Sequence, residues 1–190
     1  MTSLAQATTI LALGDSLTAG YGLEAGHAMP DILQAALKKE AKDITIINAG
    51  VSGDTAAQGA ARLDWALTPG VKALIVELGA NDALRGLPPE QTDQALRQIM
   101  DKAKAKNLPV LILGMKAPPN LGADYQAKFD AIYPKLATDY GALFYPFYLE
   151  GVAAHPELNQ PDGMHPNDQG VAVIVSKLIP LVEQLVAKLP

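Results

Sequence analysis

Short apolar, β-branched runs recur along the chain: "TILALG" (9–14), "ITIINAG" (44–50), "KALIVELG" (72–79), "PVLILGM" (109–115) and "ALFYPF" (142–147). Runs of this length suit strands, and their apolar character is too continuous for a face in water. Between them the apolar positions take up helical spacing. "PDILQAALKKE" opens on Pro30 and Asp31, which suit a first helical turn. "DTAAQGAARLDWAL" offers Asp54 and Thr55 as caps, and "PPEQTDQALRQIMDKAKAK" is strongly amphipathic. "YQAKFDAIYPKLATDY" and "NDQGVAVIVSKLIPLVEQLVAKL" complete the helical set. Pro134 and Pro180 should kink or break these last two, because proline removes a backbone donor and clashes with the carbonyl four residues back.

Strands alternating with helices predict an α/β fold. The expected form is a three-layer α/β/α sandwich around a five-stranded parallel sheet in the flavodoxin-like order 2-1-3-4-5. No repeat, low-complexity tract or long linker divides the 190 residues, so they read as one domain, with residues 1–7 flexible or the remnant of a trimmed precursor. Ligands of such sheets sit beyond the carboxyl ends of the strands, which is where chemistry is to be sought.

Composition narrows the function classes. The formal charge is −5, which gives no basic footprint for nucleic acid and no polybasic patch for anionic lipid. No apolar run approaches the length of a membrane span, so stable membrane insertion is not expected. Cysteine is absent, which excludes a thiol nucleophile, a disulfide framework and a Cys-ligated metal. Ala5-Gln6-Ala7 has the A-x-A form of a signal-peptidase site just before the first strand, with no charged n-region or apolar h-region ahead of it, a small hint of a periplasmic or secreted protein, with the cytoplasm as the alternative.

Three strand ends and the approach to the last helix carry polar residues. Gly14-Asp15-Ser16 follows the first, and "NAGVSGDT" the second, placing Gly53 near a helix N-terminus where backbone donors point at anions. "ELGAND" follows the third and presents Asn81, while "QPDGMHPNDQG" brings Asp162 and His165 just before the last helix. Each has an ordinary structural explanation: a helix cap at Asp15 or Ser16, an Asx turn at Asn81-Asp82, a turn at Asp162-Gly163. Their coincidence at one rim does not. An Asp three residues before a His can reach one ring nitrogen and turn the other outward, ready to take a proton from Ser16. His27 lies in a loop, and His155 precedes Pro156 and Glu157; both read as surface or structural residues.

"GDSLTAG", "NAGVSGDT", "GAND" and "DGMHPN" together resemble, in order and over essentially the whole chain, the blocks of the SGNH (GDSL) hydrolase family. "SGDTAAQGAARL", "VELGANDALRG", "QTDQALRQI" and "AIYPKLA" are similar to its bacterial periplasmic branch of arylesterases, acyl-thioesterases and lysophospholipases, with Ala80 in place of a common second glycine. The resemblance implies Ser16 as nucleophile, His165 as base and acid, and Asp162 as its orienting carboxylate. It further implies an oxyanion hole from the N–H of Ser16 and Gly53 and the amide of Asn81, with no metal and no organic cofactor. Asp15 is expected to brace the Ser16 loop.

Rival motifs fail on single residues. A nucleophile elbow needs glycine where Thr18 stands, a phosphate loop needs a lysine after Gly20, and an Asp-nucleophile phosphatase needs an acid where Leu17 stands. A non-catalytic flavodoxin-like binding module is the alternative from another class. Within the esterases, the expected substrate is a small acyl ester or thioester of short to medium chain. Longer-chain lysophospholipase or thioesterase activity is the alternative. Leu84, Leu87, Leu121 and Tyr125 either wall an acyl groove or pack beneath their own loops.

Overall fold

The computed structural model describes residues 8–40 and 42–189; Ala5-Gln6-Ala7 lies outside them. The strands β1 (Thr8–Gly14), β2 (Ile44–Gly50), β3 (Val71–Glu77), β4 (Val110–Leu113) and β5 (Leu143–Tyr145) are all parallel, in the order β2-β1-β3-β4-β5. This is the expected order. The helices are α1 (Ser16–Ala19), α2 (Met29–Lys39), α3 (Ala56–Ala66), α4 (Ala80–Leu84), α5 (Pro89–Ala105), α6 (Ala123–Asp130), α7 (Ile132–Tyr140) and α8 (Asp168–Ala187). α2 packs with α8, and α5 with α3 and α7, giving helical layers over the sheet.

Central strands buried on both faces explain the continuous apolar runs: Ile10, Leu11 and Leu13 of β1 and Leu74 and Ile75 of β3 are wholly buried. At the edge, β2 alternates over its first three residues, with Ile44 and Ile46 inside and Thr45 outside. Thr55, not Asp54, caps α3, in a reciprocal capping box with Gln58. Asp54 instead pairs with Arg62 at 2.5 Å, and Arg62 also donates to Gly14 O and Ala49 O, tying together the ends of β1 and β2.

The two prolines behave differently. Pro134 excludes the carbonyl of Asp130, four residues earlier, and the helix divides there into α6 and α7 at Ala131. Pro180 does not break α8, which runs through it for 20 residues. Pro180 and Ser176, four residues earlier, both lie on the exposed face, where water can satisfy the freed carbonyl.

α8 also corrects the expectation that no apolar run approaches a membrane span. Its 20 residues and mean hydropathy of 1.7 meet the length and composition of one. Its apolar residues have a destination within the fold, however: Ile174, Leu178, Val182 and Leu185 are wholly buried, and the helix packs on α2, β4 and β5.

Candidate active site

β1 ends at Gly14, in register with Gly50 of β2 and Glu77 of β3. Asp15 then caps the single turn of α1, its Oδ1 accepting from Leu17 N–H at 3.0 Å. The cap reading of this stretch is thus correct for Asp15. It leaves Ser16 as the first helical residue, where backbone N–H groups have no partner within the helix.

Ser16 Oγ lies 2.9 Å from His165 Nε2, and His165 Nδ1 lies 2.6 Å from Asp162 Oδ2. The Asp162 turn is built for this contact. Its Oδ1 accepts from the N–H groups of Met164 and His165 at 2.9 and 3.0 Å, leaving Oδ2 to the ring. Those two backbone donors, His165 first, and then the imidazole hold the Asp162 carboxyl down at about 2, so it stands ionised beside the ring. Gln160 secures the same turn to the α1 side: its N–H donates to His165 O and its amide to Tyr21 O, each at 2.7 Å. The Tyr21 ring packs on the imidazole, centroids 4.8 Å apart. Nothing in the residue pattern singles out Tyr21, whose role arises from the chain's return in three dimensions.

Asn81 is the second residue of α4, which follows Gly79. Gly79 is required twice over, by its φ of 115° and because a Cβ there would stand 2.1 Å from Tyr133 Oη. Asn81 Nδ2 donates to Asp15 Oδ2 and to Asp54 O, both at 3.0 Å. Gly53, just before Asp54, has φ of 87° and its carbonyl accepts from Arg85 at 2.8 Å. Ser16, Asn81 and His165 line one cavity of about 320 Å³; Gly53 adjoins Asn81 through Asp54 without lining it.

The cavity is mostly apolar, walled by Leu84, Met115, Phe147, Leu149, Ala153 and Met164, with Lys116 lying 5.2 Å above the Phe147 ring. Of the four residues expected to wall a groove, Leu84 alone does so. Leu87, Leu121 and Tyr125 instead clasp two loops together behind it. The Tyr125 hydroxyl donates to Leu87 O at 2.7 Å, its ring stacks on Phe129, and Leu121 lies over Gly86. His27 proves to have an acid partner, Asp168 at 2.9 Å, distant in sequence; His155 lies 3.2 Å from Glu157, and both rings are well exposed. Among the described residues no cluster of three or more His, Asp or Glu could hold a metal ion.

A family model described as GDSL-like lipase/acylhydrolase matches residues 12–173. The chain belongs to this family. The thioesterase 1/protease 1/lysophospholipase L1 of Escherichia coli K12 is 42% identical over 183 residues, 96% of this chain and 86% of that protein. The arylesterase of Vibrio mimicus is 40% identical over 161 residues, 84% of this chain and 80% of that protein. Among solved structures, the SGNH-hydrolase family esterase AlinE4 is 47% identical with a TM-score of 0.81, covering 96% of this chain and 98% of that one. As a GDSL-like acylhydrolase the chain is a serine hydrolase acting on small-molecule esters, and the alternative of a non-catalytic flavodoxin-like module is set aside.

Proposed function

We propose that this acylhydrolase is an arylesterase-like enzyme for carboxylic esters of short to medium acyl chain, working through an acyl-enzyme on Ser16. The observation that carries the reading is the continuous Ser16–His165–Asp162 contact at the mouth of an apolar cavity. Ser16 Oγ attacks the ester carbonyl carbon as its proton passes to His165 Nε2, and Asp162 holds the ring in the required tautomer. The oxyanion is met by Ser16 N–H, Gly53 N–H and the Asn81 amide. When the bond to the leaving oxygen breaks, His165 returns the proton to the departing alcohol. Water then repeats the sequence on the acyl-enzyme, releasing the acid and restoring Ser16.

Chain length is argued from volume. A cavity of about 320 Å³ lies at the low end of the roughly 300–1,000 Å³ typical of small-molecule sites, enough for a short acyl chain and a flat leaving group. One observation favours longer chains as a second reading. A further cavity of about 380 Å³ shares Ala154, Asn159 and Gly163 with the first, and an acyl chain could run on into it. The E. coli relative's name, thioesterase and lysophospholipase, is consistent with that course. Export to the periplasm or the medium is the compartment this reading favours, supported by Ala5-Gln6-Ala7.

The test is hydrolysis of p-nitrophenyl esters of graded chain length by wild type and Ser16→Ala. The expected result is a maximum at acetate to hexanoate and a silent variant. A rate still rising at dodecanoate would transfer the assignment to the long-chain reading. A Ser16→Ala enzyme as active as wild type would sink the mechanism.

A further inference from the structure

Beneath the Ser16 loop lies a second pair of carboxyl groups that the ester-cleaving mechanism does not use. Glu77, the last residue of β3, and Asp15 are both wholly buried. Glu77 Oε2 accepts from Thr18 Oγ1 at 2.8 Å and from Asp15 N–H at 3.4 Å, whereas Oε1 is buried with no donor to meet. Asp15 is better provided: Leu17 N–H and the Asn81 amide each donate to it at 3.0 Å. The two buried carboxyls are neighbours, Asp15 N–H reaching Glu77 Oε2, and a hydrogen bond from the Glu77 side chain is among the influences that lower Asp15.

Two carboxylates cannot share a dry site, because each charge is desolvated and repels the other; one must keep a proton. The environment assigns it. Asp15 already has two donors to satisfy a negative charge, while the partnerless Oε1 of Glu77 is satisfied only when it carries a hydrogen and donates. Burial, reinforced by the neighbouring Asp15, pushes Glu77 well above the usual carboxyl range, whereas Asp15, with its donors opposing burial, rises only to about 6.

We propose that Glu77 is a positioning residue for the ester-cleaving centre: a neutral carboxylic acid that donates to Asp15 and so holds Asp15 on Asn81 and on the first turn of α1. The proposal rests on the reading of Ser16 as nucleophile and deepens it, since Asn81 and the Ser16 backbone are the groups so held. The titratable and charged groups facing this pair are the phenols of Tyr133 on α7 and Tyr148 after β5, with His165 beyond Asp15. The Arg62 guanidinium reaches Gly14 O from α3, at 2.8 Å. Neither phenol replaces the proton: Tyr133 donates to Leu78 O and Tyr148 to Leu17 O.

The first measurement needs no variant. Infrared difference spectra of the wild-type protein at pH 7, with and without ¹³C-glutamate, should contain a carboxylic-acid C=O band that moves with the label. Its absence would overturn the proposal, whatever Ser16→Ala does. Kinetics then separate positioning from bulk structure. Glu77→Gln keeps a donor for Asp15 and an acceptor for Thr18, so its kcat at pH 7 should stay within about threefold of wild type. Glu77→Leu should lose about tenfold or more in kcat with KM unchanged, as the oxyanion donors drift. A Glu77→Gln enzyme as impaired as Glu77→Leu would overturn the proposal, since a charge rather than a proton would then be required.

Stability carries the same sign. Glu77 ionises near 4.5 in the unfolded chain and well above that in the fold, so its contribution is full below 4.5 and is lost as pH rises towards the folded value. The Tm of Glu77→Gln should therefore gain on that of wild type as pH rises above 4.5. Wild type gaining on Glu77→Gln over the same pH rise would count against a proton on Glu77.

Discussion

Gly50→Ala tests whether the position of α1 sets the rate. Gly50 ends β2 opposite Gly14 and lies directly against α1. A Cβ there would stand 2.2 Å from Ala19 N, 2.6 Å from Ala19 Cα and 2.8 Å from Thr18 C, all backbone atoms that no rotamer change can remove. Ordinary contact begins at 3.4 Å, so α1 must retreat by more than about 1 Å. Gly50 is outside the positive-φ glycines, so alanine brings no backbone strain and the effect is steric alone. Ser16 opens the same single turn, and its Oγ now sits 2.9 Å from His165 Nε2. A displacement of this size takes that contact past hydrogen-bonding range, and a misplacement of about 1 Å typically costs about 10²-fold in rate. The overpacking itself should cost about 1–3 kcal/mol of stability. The assay is kcat and KM on p-nitrophenyl butyrate beside a thermal melt. The expected outcome is a kcat about 10²-fold lower with a modestly lower Tm. A variant with lower Tm but wild-type kcat would mean that β2, the edge strand, yields in place of α1, and the reasoning would be refuted.

Asp162→Asn should lower kcat by about 10³-fold or more while leaving the fold intact, because the amide oxygen still accepts from Met164 and His165 N–H but no longer fixes the ring as a carboxylate does. Asp162 is held at about 2 in the wild type, and a group with a depressed pKa is charged everywhere above it. The deficit should therefore persist across all pH values from roughly 5 upward, as a pH–rate series will check. Leu84→Ala should shift the chain-length preference by about tenfold between butyrate and octanoate, since Leu84 walls the cavity; Leu121→Ala, behind it, should leave the preference unchanged.

Strand order was legible because β1, β3 and β4 are buried on both faces, which prints an unbroken apolar run, and because a helix separates each pair. The Ser16, Asn81, Asp162 and His165 positions were legible for a related reason: each follows a strand end or precedes a helix, so the topology alone carries them to one rim. α1 and α4 were not, since four or five residues are too short for a helical period to register. The cavity wall was misjudged for want of distance information. Met115, Phe147 and Met164 come from three separate segments, whereas Leu121, just before α6, and Tyr125, on it, are taken up by contacts with Gly86 and Leu87. The pairing of His27 with Asp168 is invisible to local spacing in the same way. Glu77 did leave a trace. A lone acid inside "KALIVELG", a run otherwise fit for a buried strand, has to find a partner or keep its proton.

Asn81 shows how such buried polar contacts serve the proposed chemistry. In the resting site its amide gives one hydrogen to Asp15 and the other to Asp54 O, so the donor is oriented before any substrate arrives. A half-buried amide left without acceptors would cost about 1–3 kcal/mol, and these two contacts avoid that. Their strengths differ in kind, however. Asp54 offers a neutral carbonyl, and an ester carbonyl in the ground state is no better an acceptor, so substrate binding gains little by displacing it. An oxyanion is a better acceptor, because hydrogen bonds to a charged oxygen are roughly twice as strong as neutral ones. The exchange becomes favourable only as negative charge develops on the reacting oxygen. On the proposed mechanism Asn81 is therefore expected to act on kcat rather than on KM, with the Asp15 contact keeping the amide in place while its other hydrogen changes partner.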